Sequence, residues 1–192
     1  FPASGLRRLL QSGDVRVDIA GGPTAGQAAR LLAGSNATWG RQTYVPALTG
    51  VEESYRERAA DPEADEEAQA RFTERAGQAQ RFRDWIAALL ALVPEPQPDG
   101  RIALGSVLAA CAVFVKDYAT TGSALDGAAA AAIADTLVEL QPLGDLIRPL
   151  SNGLALIRDR VETLAVGGDR ARAGHLHVTT LAQAGQAGRP HT

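Results

Sequence analysis

The sequence predicts an all-α protein, a helical bundle of five or six helices carrying at most a small two-stranded β-ribbon between residues 15–19 and 175–180. Three observations lead there. Apolar residues make up 45% of the 192-residue chain, yet Phe, Trp and Tyr together supply only 5%, a balance that favours closely packed helices rich in Ala and Gly over an aromatic-rich sandwich. Apolar positions recur at spacings of three and four through most of residues 63–164, the period of a helix with one buried face. Capping residues and Pro or Gly breaks divide the chain into segments of helical length.

Taken in order, Ser4 caps a short helix that sets Leu6, Leu9 and Leu10 on one side and ends at Gly13. Val15, Val17 and Ile19 then alternate with Arg16 and Asp18, the period of a half-buried strand, until Gly21, Gly22 and Pro23 stop it. Thr24 caps a helix to about Ala33, with Ala28, Leu31 and Leu32 facing inward. Residues 36–47 have no clean period and read as a loop with a turn of helix. Thr49 caps the next helix, whose early Glu52 and Glu53 and later Arg56 and Arg58 complement its dipole.

Asp61 and Pro62 open the strongest element, a helix over 63–93 closed by the run Pro94, Glu95, Pro96, Gln97, Pro98. Its seam runs from Ala68 and Phe72 through Ala76, Ala79, Phe82, Arg83 and Ile86 to Leu89, Leu90 and Val93, an apolar stripe about 46 Å long at about 1.5 Å per residue. That length exceeds what a compact domain needs and points to a second chain. Ile102–Tyr118 is apolar nearly all round and is expected to be the central buried helix. Ser123 and Asp126 stand in capping-box order before a helix with seam Leu125, Ala129, Ile133, Leu137 and Leu140. Leu154, Ile157, Val161 and Leu164 mark a last helix ended by Gly167, and residues 182–192 read as a tail. The organisation expected is an N-terminal helical and loop segment (1–60) packed on a main bundle (61–168), with a strand-like C-terminal segment (169–192), as one domain.

Composition limits the function classes. Net charge is −3, with seven Arg against five acids in residues 1–60 and a deficit of bases beyond; neither half carries a strong nucleic-acid footprint, and nucleic acid is not the expected partner. Eighteen of the nineteen basic residues are Arg, Lys116 being the exception, and this with the Ala bias suggests a high-GC bacterial genome. The single Cys111 excludes an internal disulfide framework, and its apolar neighbours read it as a buried thiol in a reducing, cytoplasmic setting. The longest apolar run, Val107–Val115, is far short of the roughly 20 residues that span a membrane, so no membrane partner is expected.

Several constellations could carry chemistry. The order strand, GGPTAG, helix over 15–32 suits a phosphate cradle, and the Gly21 to Gly26 spacing resembles a Walker A frame. Gln27 and Ala28 stand where that family has Lys and Ser or Thr, which favours a plain turn. Residues 24–41, TAGQAARLLAGSNATWGR, resemble in outline the helix-turn-helix of small bacterial DNA-binding domains. The resemblance implies a second helix starting at Ser35 and Asn36 and phosphate contacts from Arg30 and Arg41, although Gly40 falls inside that second helix. His175 and His177 would share one strand face as metal ligands do, but no third ligand is placed, so a solvated face is expected and no metal or cofactor.

Lys116 and Tyr118 end the helix expected to be most buried, where a lysine would lose its proton readily if a pocket opened. Trp39, Arg41 and Tyr44 share a loop of the kind that lines ligand sites on rigid scaffolds. The function expected is therefore a non-catalytic helical binding or assembly protein that dimerises through residues 63–93. The first alternative is an enzyme or small-molecule binder of a bacterial biosynthetic pathway, whose apolar ligand enters between helices near Trp39, Arg41, Tyr44, Lys116 and Tyr118. The second is a DNA-binding regulator using residues 24–41.

Overall fold

A computed structural model describes residues 2–166. His175, His177 and the strand expected at 175–180 lie outside the described residues. The protein is all-α with a small β-ribbon. Its elements are α1 (Ala3–Ser12), α2 (Ala25–Gly34), α3 (Tyr44–Ala59), α4 (Glu66–Leu92), β1 (Arg101–Ala103), α5 (Leu104–Val113), α6 (Ala124–Glu139), β2 (Ile147–Pro149) and α7 (Leu150–Glu162). Among the described residues seven α-helices thus stand where five or six were expected. The short α1 and α2 are full members because each buries leucines: Leu6 and Leu10 in one, Leu32 in the other.

The chain divides into two compact units, residues 1–96 with 109–120, and 97–108 with 121–192. In the first, α3 and α4 form a helical hairpin across residues 60–65, so the boundary expected at 60/61 falls inside one packed pair. Their shared core holds Tyr44 and Leu48 from α3 against Phe82, Ile86, Leu89 and Leu90 from α4, joined by Leu6, Leu10, Ala28 and Leu32. The stripe on α4 is thereby covered by its own chain from Ala76 to Leu90. Val93, at its end, is 41% exposed.

Helix starts differ from the expected ones for local reasons. α3 begins at Tyr44, five residues before Thr49, because Tyr44 is buried and anchors the first turn, and Pro46 sits in that turn where no N–H is needed. The Thr49 hydroxyl donates back to the Val45 carbonyl (2.9 Å) instead of capping. α4 begins at Glu66, capped by Asp65, whose Oδ1 accepts from the Ala68 N–H at 2.7 Å, while Asp61 closes a separate turn on Glu63.

Glu52 is the one buried carboxylate, 2% exposed among the described residues. It lies between Arg56 of its own helix and Arg83 of α4, each 2.5 Å away. A charge so buried persists only when paired.

Residues 15–19 form no strand. Val15 makes one antiparallel bridge with Ala119, flanked by Arg16 N–H to Tyr118 O (2.7 Å) and Thr120 N–H to Asp14 O (2.9 Å). The ribbon lies elsewhere, in the second unit, where Arg101, Ile102 and Ala103 pair antiparallel with Pro149, Arg148 and Ile147. Three-residue strands are too short to show a period.

Nor is α5 buried all round. Leu104, Val107 and Leu108 are buried, but Val113 is 36% exposed, and the helix widens into a π-turn over Phe114–Tyr118. In the second unit α6 has the predicted capping box of Ser123 and Asp126. Leu137 and Leu140 of its expected seam are buried, whereas Leu125 is 59% exposed. Gly105 approaches the backbone of Gly144, its N–H bonded to the Gly144 carbonyl at 2.8 Å; a Cβ there would come within 3.2 Å of that oxygen.

Candidate functional site

The sequence-predicted site residues stand in unlike surroundings. Trp39 is 70% exposed beside a one-residue bridge to Pro2. Arg41 serves as a C-cap for α4: its guanidinium donates to the carbonyls of Leu90 (2.5 Å) and Val93 and pairs with Glu95 (2.5 Å). Tyr44 is buried in the core, and burial raises its phenol above the usual range. Lys116 is exposed. Tyr118 is half-buried, packed on Phe114 (6.0 Å between centroids) and tilted against Trp85 (5.7 Å). Burial, and secondarily Asp117, raises its phenol too. Burial likewise pushes the half-buried Cys111 thiol up.

The two loop motifs resolve into structural turns. At the start of α2 the Thr24 side chain accepts from the Gln27 N–H and the Gln27 side chain from the Thr24 N–H, a closed capping box that spends donors a phosphate would need. Arg81 donates to the Gly21 carbonyl at 3.0 Å and braces the glycine turn from α4. The second helix implied by the helix-turn-helix resemblance does not form: after α2 the chain is non-helical to Gly40, and the next α-helix starts at Tyr44. The reason is local, because Ser35 turns back to the Leu32 carbonyl (2.9 Å), Ala37 is buried, and Gly40 adopts φ 96°.

What the fold does build is a pair of adjoining grooves on the first unit. One, of about 320 Å³, is lined from α2, α3 and α4, with Arg30, Arg75, Gln27 and Gln78 as its polar groups. The other, of about 410 Å³, continues along α3 and the loop after α2, with Arg58, Ser54 and Asn36. Gly34, Val51 and Tyr55 border both. Among the described residues no carboxylate lines either groove. The nearby Glu74 accepts a hydrogen bond from Gln78 Nε2 at 3.0 Å.

An aromatic pair holds the cations in place. Phe72 stacks on Tyr55 at 6.4 Å, and the guanidinium carbons of Arg58, Arg71 and Arg75 lie 5.9, 5.5 and 6.0 Å from its ring centre. Arg30, Arg58, Arg71 and Arg75 form no ion pair among the described residues. Their positive charge is organised by a ring rather than cancelled by carboxylates. Sequence reasoning placed Phe72 in the helix seam and Arg58 in a last turn. It missed the cluster because Arg30, Tyr55 and Arg75 meet only when α2, α3 and α4 pack.

Among the described residues no group of His, Cys, Asp and Glu could hold a metal, and no helix is long and apolar enough to cross a membrane. The chain matches no protein-family model, no curated protein and no solved structure, so any functional reading rests on the geometry of this groove.

Proposed function

We propose that this is a non-catalytic helical binding protein whose first unit takes up a small anionic ligand in the paired groove between α2, α3 and α4. The observation that carries the reading is the acid-free lining with Arg30, Arg58 and Arg75 around Tyr55. In a chain of net charge −3 such a surface is a local reversal of sign, and unpaired guanidinium forks recognise phosphate and carboxylate without first breaking an ion pair. Both volumes fall in the usual range for small-ligand sites, about 300–1,000 Å³. Polar groups there are Arg, Gln, Asn, Ser and Tyr, suited to binding more than to proton transfer.

Calorimetric titration with inorganic pyrophosphate at low ionic strength tests the proposal. Saturable binding is expected, weakening as salt rises and roughly tenfold weaker in Arg75→Ala, the loss of about one charge-assisted contact. Absence of binding, or equal affinity in the variant, would refute it.

Self-association is the second reading, with another copy of the chain as partner. The α4 seam is engaged within the first unit, so a dimer contact through α4 would use its outer, polar face. The observation favouring association lies in the second unit, where Leu125, Val138, Leu143, Leu146, Ile147 and Leu154 are exposed. Sedimentation at high micromolar concentration should then show a dimer that Val138→Glu disrupts; a wild-type monomer would end this reading.

A further inference from the structure

We infer that the two grooves are halves of one site, and that its ligand carries two phosphate-like groups together with a flat aromatic body. The inference rests on the anion-binding reading above and specifies its ligand. Tyr55 borders both grooves, of which Arg30 and Arg75 line one and Arg58 the other. Arg58 and Arg75 come from different helices yet pack against the same Phe72 ring, at 5.9 and 6.0 Å. Phe72 is therefore a positioning residue that gathers one cation from each groove beside the tyrosine stacked on it. A ligand with one anion would satisfy half of this arrangement. A ligand with two anions and a pendant planar ring satisfies both arginine sets and can lay its ring against Tyr55, since base–aromatic stacking tolerates any base. The chemistry is that of a nucleoside carrying a phosphate on each side of its sugar, found both in a free nucleoside bisphosphate and in two linked nucleotides of a single strand.

The test titrates the full chain with adenosine 3′,5′-bisphosphate, adenosine 5′-monophosphate, inorganic pyrophosphate and a short single-stranded oligonucleotide. The bisphosphate should bind at least about tenfold more tightly than the monophosphate. Tyr55→Leu should weaken the nucleoside ligands by more than it weakens pyrophosphate, and Phe72→Leu should weaken all of them alike by releasing both arginines. Should Phe72→Leu fail to fold, Arg58→Gln and Arg75→Gln, both at exposed positions, replace it: each should reduce the bisphosphate's advantage toward that of the monophosphate. Tighter binding of the oligonucleotide than of the bisphosphate assigns the source to nucleic acid, and the reverse order to a free nucleotide. Equal affinity for monophosphate and bisphosphate overturns the inference while leaving anion binding intact; loss of pyrophosphate binding as well would overturn both.

Discussion

Replacing Glu52 by Gln isolates the one buried carboxylate of the first unit. In the native protein its two oxygens take Arg56 and Arg83 at 2.5 Å each, with the Glu52 side chain 3% exposed. Removing one member of a buried pair costs about 3–5 kcal/mol because the remaining charge loses its partner. Here the lower end applies. Arg56 is 60% exposed and regains water, and Arg83 retains Asp84 at 2.9 Å. About 3 kcal/mol is therefore expected, equivalent to a fall of roughly 12 °C in Tm at about 4 °C per kcal/mol. Trp39 and Trp85, the only tryptophans, both lie in the first unit, so their fluorescence during urea unfolding reports the unit that is perturbed. The double variant Glu52→Leu/Arg83→Met should recover part of the loss, since apolar replacement of a buried pair is often neutral. A loss below about 1 kcal/mol in Glu52→Gln would show that Glu52 does not clasp α3 to α4, and the argument would fail.

Further outcomes follow from the same contacts. Arg41→Ala uncaps α4 at Leu90 and Val93 and should lower stability by about 1–2 kcal/mol, read by chemical denaturation; no change would mean that water caps the helix equally well. Burial holds the phenols of Tyr44 and Tyr118 above their usual 10.0 in the folded protein, so the unfolded chain releases these protons first. Their contribution is complete below pH 10 and is lost as pH rises through the folded values, so the urea midpoint should fall between pH 9 and 11, and a rising midpoint would contradict it. With its thiol raised above 9.0 and half-buried, Cys111 should alkylate more slowly at pH 8 in the native protein than in urea; equal rates would place it in water.

Much of the fold is legible in local chemistry. Thr24 caps α2 and Ser123 with Asp126 forms the capping pair its spacing announces, and Ala76, Phe82, Ile86 and Leu89 occupy the buried stripe their period demands. Tertiary packing overrode the local signal elsewhere. Tyr44 drew the start of α3 forward into the core, and Val15–Ile19 alternated like a strand yet among the described residues found one bridge, at Ala119. The length of the α4 stripe suggested a second chain, whereas Ala76–Leu90 is buried within this chain, with α3 packed along α4 and Phe82, Ile86, Leu89 and Leu90 sharing a core with α1 and α2.

The candidate site was hidden for a related reason. Exposed arginines have no period, and Arg30, Tyr55, Arg58, Phe72 and Arg75 are spread over three helices. By itself the sequence determined the caps of α2 and α6, the buried face of α4 and that charge is nearly balanced, because caps and periodicity act within a few residues. Only the tertiary structure decided which faces meet, and hence that three arginines surround one phenylalanine ring beside an acid-free groove. Side-chain electrostatics depends on distance in space, and that distance is set when the helices pack.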